Sequence, residues 1–148
     1  MGKMQMNDIL ERMLDTLITL QSILEHEQEE LSAVRVNAPF LHRLTENKNE
    51  QLSILKHFDN KRLEMDKVLN VSAPYHNIPE FNSAWLKIHD LTRTLSENNY
   101  RNGLLLDIHL KNTQEALNFF EQKKRQDIYG PDGHSQTKGS KLGRKFGV

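Results

Sequence analysis

The amino-acid sequence predicts an all-α fold: an elongated antiparallel three-helix bundle or coiled coil, followed by a flexible C-terminal tail. Three observations carry that expectation. Apolar residues recur at three- and four-residue steps in three long segments. No segment alternates with the two-residue period of a strand. Pro39, Pro74 and Pro79 fall in two short breaks between the segments.

In the first segment, Ile9, Leu10, Met13, Leu14, Leu17, Leu20, Leu24 and Leu31 form one stripe of a helix from about Met6 to about Val36. Asn7 or Asp8 is suited to cap its start, and Glu11 in the first turn favours the helix dipole. The later part, "EHEQEELSAVR", has a thin stripe and needs a partner to stay helical. The break "VNAPF" follows, with Asn37 as N-cap and Pro39 early in the next helix, about 39 to 70. There Leu41, Leu44, Leu52, Leu55, Phe58, Leu63 and Val68 lie near the apolar face, with Lys48 and the acids outward.

A second break, "VSAPYHNIPEF", leads into the third helix, about 79 to 126, with Asn77 as a candidate cap and Pro79 in its first turn. At ~1.5 Å per residue such a helix is roughly 70 Å long, hence the elongated expectation. Phe81, Trp85, Ile88, Leu91 and Leu95 give its first half an ordinary stripe. "NNYRNG" then interrupts it with Asn98, Asn99, Asn102 and Gly103. An asparagine inside a helix can set register by bonding across an interface, and Gly103 permits close helix approach at a cost of about 1 kcal/mol against alanine. The same step also suits a hinge between a scaffold half and a partner-binding half.

Beyond it, "LLLDIHLKNTQEALNFF" is apolar on more than one stripe. Leu105, Ile108, Ala116 and Phe119 approximate one face, and Leu106, Leu110, Leu117 and Phe120 a neighbouring one. One face suffices for packing in a bundle; a second requires a tighter core, a second copy of the chain, or a bound helix from another protein.

The chain divides on this reading into a helical domain, 1–126, and a basic glycine-rich tail, 127–148. The tail holds five of the seven glycines: Gly130, Gly133, Gly139, Gly143 and Gly147. Its opening residues include Ile128 and Tyr129, either a hydrophobic C-cap or an aromatic anchor on a tether. Lysine and arginine together number 20, as do aspartate and glutamate, so the formal net charge is zero and nothing global points to nucleic acid. The distribution is uneven: the first helix is acidic and the tail basic, a pattern suited to steering encounter with an acidic partner.

Cysteine is absent, which removes thiol chemistry and cysteine-bound zinc. No apolar run reaches the roughly 18 residues of a membrane span, and the start lacks a signal peptide's apolar region, so the expected location is the cytoplasm. The seven histidines include no i, i+4 pair and none with a glutamate three residues before it, so neither zinc nor di-iron signatures occur. Phosphate loops and nucleophile elbows are missing as well. No catalytic residue, metal or cofactor is expected. "IHLKN" around His109 faintly resembles a histidine phosphotransfer module, but the leucine–lysine pair follows His109 directly and Asn112 stands where a small residue is usual.

The "NGLLL" step from Asn102, set about 25 residues before a Tyr129-Gly130 turn and a polar tail, resembles the FlgN-type flagellar export chaperones. "PFLHRLTENKNEQLSILKHFD" is similar to that family's leucine and lysine pattern, and the likeness spans about Met6 to Gly133. The resemblance implies a small cytoplasmic chaperone that binds the terminal amphipathic segment of hook–filament junction proteins before their type III export. It assigns client binding to the C-terminal helix, here Leu104, Leu105, Leu106, Ile108, Leu110, Ala116, Leu117, Phe119 and Phe120. It assigns docking on the cytoplasmic domain of the export gate to the region of Ile128 and Tyr129. The basic extension from His134 has no counterpart in that pattern. The competing expectation is a homo-oligomeric coiled-coil adaptor, with the wide apolar face as its dimer seam.

Overall fold

A computed structural model describes residues 2–129, with side chains described from 2 to 125. The described residues form three helices and no strand: α1 (Gly2–Leu31), α2 (Ala38–Leu69) and α3 (Pro79–Tyr129). Residues 130–148, most of the expected tail, lie outside the described residues.

The helix ends differ from the sequence expectation in ways that packing explains. α1 starts at Gly2, so Asn7 and Asp8 are interior residues and cap nothing. Asn7 Nδ2 instead donates to Glu80 Oε2 of α3 at 3.2 Å. Gly2 sits so close to Leu69 that an added Cβ would meet its Cδ2 at 2.6 Å, so the start of α1 abuts the end of α2. α1 stops at Leu31, not near Val36, because the apolar stripe ends there; Val34 is fully exposed and has nothing to bury. Backbone bonds from Ser32 to Gln28 and from Ala33 to Glu30 close the last turn.

Asn37 caps α2 as its sequence position predicts: its backbone is extended (φ −84°, ψ 98°) and its Oδ1 accepts from Phe40 N at 3.1 Å. The other end closes on Asn70 in the left-handed conformation, φ 53°. At the start of α3 the carbonyl of Ile78, not of Asn77, accepts the first helical bond, from Asn82 N. α3 continues to Tyr129, past the expected end near Gln126, so the backbone of Ile128 and Tyr129 belongs to its last turn.

The chain falls into two compact units, residues 1–102 and residues 103–148. The first is a three-helix bundle. Gly2 lies against Leu69 and Glu27 against Lys48, so α1 and α2 run antiparallel. Asn7 bonds Glu80 and Leu24 bonds Asn102, so α3 runs parallel to α1. The core centres on α1, whose Met6, Leu10, Met13, Leu17, Leu20 and Leu24 are almost fully buried. Phe81, Ile88 and Leu95 of α3 complete it, with Leu55, Phe58 and Trp85 packed against them. Burial of each large apolar side chain contributes on the order of 1.5–3 kcal/mol.

α2 is the least buried helix of this unit. Leu44 and Arg62 are its only buried residues, whereas Leu52, Leu63 and Val68, expected on its apolar face, are exposed. Arg62 occupies the interior because its charge is fully partnered. It donates to Asp59 Oδ1 at 2.9 Å, Asp66 Oδ2 at 3.2 Å and the Tyr75 hydroxyl at 2.8 Å, and it stacks 4.4 Å over the Trp85 ring. Tyr75, in the α2–α3 loop with φ 61°, packs edge-on against Phe81 and Trp85 and donates to Asp66 Oδ1 at 2.8 Å. Burial, with the hydrogen bond to Asp66, outweighs the nearby Arg62 and pushes the Tyr75 phenol up to about 12.

Candidate functional site

Two places in the chain depart from an ordinary bundle. The first is a buried polar cluster at the end of the first unit. Glu27 is 5% exposed and Asn102 1% exposed. Asn102 Nδ2 donates to the Leu24 carbonyl at 2.9 Å and to Glu27 Oε1 at 3.0 Å. Lys48 Nζ lies 3.1 Å from Glu27 Oε2 and 3.0 Å from Asn99 Oδ1. A buried carboxylate is tolerable only when paired and hydrogen-bonded, and here α2 supplies the cation and α3 the amide. Lys48 therefore points inward, against the sequence expectation.

This cluster accounts for the asparagine step. Asn102 sets the register of α3 on α1, as one of the two sequence readings has it. Gly103, by contrast, has nothing within 4 Å of where a Cβ would stand, so it mediates no close helix approach. Next to the cluster, a recess of about 180 Å³ is lined by Leu20, Leu24, Leu52, Leu95 and the Lys48 stem.

The second departure lies in the described part of the second unit. Leucine, alanine, glutamate, glutamine and lysine favour a helix there, and no proline follows Pro79 until Pro131. No residue from Gly103 to Arg125 is buried. Leu104 is 48%, Ile108 56%, Phe119 62% and Phe120 65% exposed. Ala116 is also exposed, and Leu105, Leu106, Leu110 and Leu117 are half-buried.

At 100° per residue, Leu104, Ile108 and Phe119 share a stripe, while Leu106, Leu110 and Leu117 form another on a different side. The exposed stripe thus joins Leu104 to Ile108 and Phe119, an association that the sequence reading did not make. The rings of Phe119 and Phe120 meet edge-on, centroids 6.0 Å apart. The side chains of Ile128 and Tyr129 lie outside the described ones.

The chemistry available at this face is adhesive. Among the described residues no group of three or more His, Asp or Glu could hold a metal ion, and no helix is long and apolar enough to cross a membrane. What the face offers is exposed apolar area with two aromatic rings at its C-terminal end.

The family model described as FlgN protein matches residues 1–137. The flagella synthesis protein FlgN of Yersinia enterocolitica serotype O:8 is 36% identical over 139 residues, 94% of each chain. The protein of that name from Proteus mirabilis is 35% identical over 132 residues, covering 89% of this chain and 90% of its own. That of Salmonella typhimurium is 30% identical over 133 residues, covering 90% and 91%. No solved structure matches.

Proposed function

The chain belongs to the FlgN family, and from that premise we propose that it serves flagellum synthesis as a cytoplasmic type III export chaperone. It binds the terminal amphipathic segment of hook–filament junction proteins, prevents their premature association and delivers them to the export gate. The relatives' shared description, flagella synthesis protein, supports the flagellar setting.

One observation above all supports the chaperone role: a helix of 51 residues whose portion beyond Asn102 exposes Leu104, Ile108, Phe119 and Phe120. Leaving four large apolar side chains in water is unfavourable, and each becomes favourable when a partner covers it. An amphipathic client helix with anchors at i, i+3, i+4 and i+7 fits that need. Since a transport chaperone must release its cargo, the expected affinity is near micromolar, about −8 to −10 kcal/mol. Ile128 and Tyr129, at the end of the same helix, are assigned to gate docking, which leaves the apolar stripe free to hold its client.

The test is light scattering with calorimetry on the full chain and a peptide from a junction protein's C-terminal segment. A monomer that forms a one-to-one complex agrees with this reading. A tight dimer that the peptide neither dissociates nor binds assigns the apolar stripe to self-association instead.

A further inference from the structure

The exposed apolar stripe ends in an unusual arrangement of charge. Lys123 follows Phe119, and Lys124 follows Phe120, each at the i+4 spacing that stacks one side chain a turn beyond the other on the same face. Both lysines are exposed. No ion pair among the described residues engages either of them. Glu121, the acid between the rings and the lysines, is half-buried and has an interaction of its own.

Helix electrostatics does not account for these bases. The dipole acts within the last turn, and the last turn of α3 contains no base; Lys123 and Lys124 stand more than a turn before its end at Tyr129. Two cations with no ion pair among the described residues thus stand one helical turn beyond two exposed rings, one for each ring.

We propose that Phe119, Phe120, Lys123 and Lys124 form a composite docking end that selects amphipathic segments with carboxylate side chains next to their apolar anchors. The proposal rests on the client-face reading and deepens it by stating the chemistry of the segment preferred. An anchor that covers a ring brings its neighbours one turn along within reach of the lysine. An aspartate or glutamate there gains a cation whose surroundings are already partly desolvated by the contact, and the same charge speeds encounter. An uncharged neighbour gains neither.

The experiment compares two synthetic amphipathic peptides on the full chain by calorimetry, identical in their leucine anchors and differing only in glutamate or glutamine at the flanking positions. The glutamate peptide is expected to bind about tenfold tighter in dilute buffer, as two exposed ion pairs allow. The ratio should shrink toward one at about 0.5 M salt, where screening acts over a few ångströms. Lys123→Glu with Lys124→Glu should invert the preference while leaving the circular dichroism unchanged, and lysine-flanked peptides should then bind the double variant best. Equal binding of the two peptides, or a preference that survives the double substitution, overturns the proposal and leaves the client face standing. Failure of both peptides and of the junction-protein segment overturns the client face and this inference with it. Binding of the chain to phosphatidylglycerol vesicles through the two lysines, with no preference between peptides, reassigns the cations to a lipid surface and also overturns it.

Discussion

The side-chain amide of Asn102 donates to Glu27 Oε1 at 3.0 Å, a bond between two polar groups that are both almost fully buried. It stands at the last residue of the first unit. Packing alone would let a leucine stripe slide by a turn against its neighbours; a buried amide with one carboxylate to meet does not slide.

Asn102→Ala should therefore cost more than its small loss of apolar area. It removes the donor to both Glu27 and the Leu24 carbonyl. The expected loss is about 1–3 kcal/mol of unfolding free energy. Urea unfolding followed by the fluorescence of Trp85, the one tryptophan, measures it. A change within about 0.5 kcal/mol would mean that the bond carries no stability.

Lys48→Met keeps the stem and deletes the charge, leaving Glu27 buried without its cation. Because the lysine is only partly buried, the expected cost is about 2–4 kcal/mol, somewhat below that for a fully interior pair. The combined variant Glu27→Gln, Lys48→Met should recover much of this, since no unpaired charge remains. Thermal unfolding of Lys48→Met, Glu27→Gln and the combined variant in parallel closes the cycle.

Tyr75 provides a pH signature. Its phenol titrates near 12 in the folded chain, raised chiefly by burial from an ordinary value of 10. The folded state thus keeps a proton that the unfolded state releases, so this contribution is whole below pH 10 and is lost as pH rises toward 12. Tyr75→Phe should remove that alkaline decline and, at neutral pH, cost about 1–2 kcal/mol for the bonds to Arg62 and Asp66. The urea midpoint measured between neutral pH and pH 12 distinguishes the two effects.

Gly103→Ala should stabilise the chain. An added Cβ meets nothing within 4 Å, and the position is helical. The expected gain is about 0.5–1 kcal/mol of local helix stability, read by hydrogen exchange around residues 100–106. A loss would show that the glycine is needed for something other than space.

Leu104→Ala with Phe119→Ala tests the proposed face directly. Both side chains are about half or more exposed, so unfolding free energy should change by less than about 1 kcal/mol while client affinity falls by at least about 2 kcal/mol. Tyr129→Ala should leave client affinity intact and weaken docking on the gate domain. If one substitution at Tyr129 reduced both alike, it would belong to the helix end and not to a separate docking element.

Much of this protein is legible in its sequence, because the signals are local. Leucines at three- and four-residue steps predict α1, and Asn37 before Pro39 marks the start of α2. The excess of apolar residues after Asn102 predicts a helix portion that one neighbour cannot cover, and Leu104, Ile108 and Phe119 stand exposed there. Where the reading misses, the cause is tertiary. Val68 and Leu63 look like core by spacing, but α2 turns Arg62 inward instead, because Asp59, Asp66, Tyr75 and Trp85 together make a cation acceptable in the interior.

Lys48 and Glu27 lie far apart in the sequence, and nothing near either one signals that they will meet. Hydrophobic period depends only on neighbours within a turn or two, so the sequence by itself determined the three helices and their apolar stripes. The partnering of a buried charge depends on which helix lies alongside and in what register. Only the tertiary structure could decide which lysine, which asparagine and which tyrosine went inside.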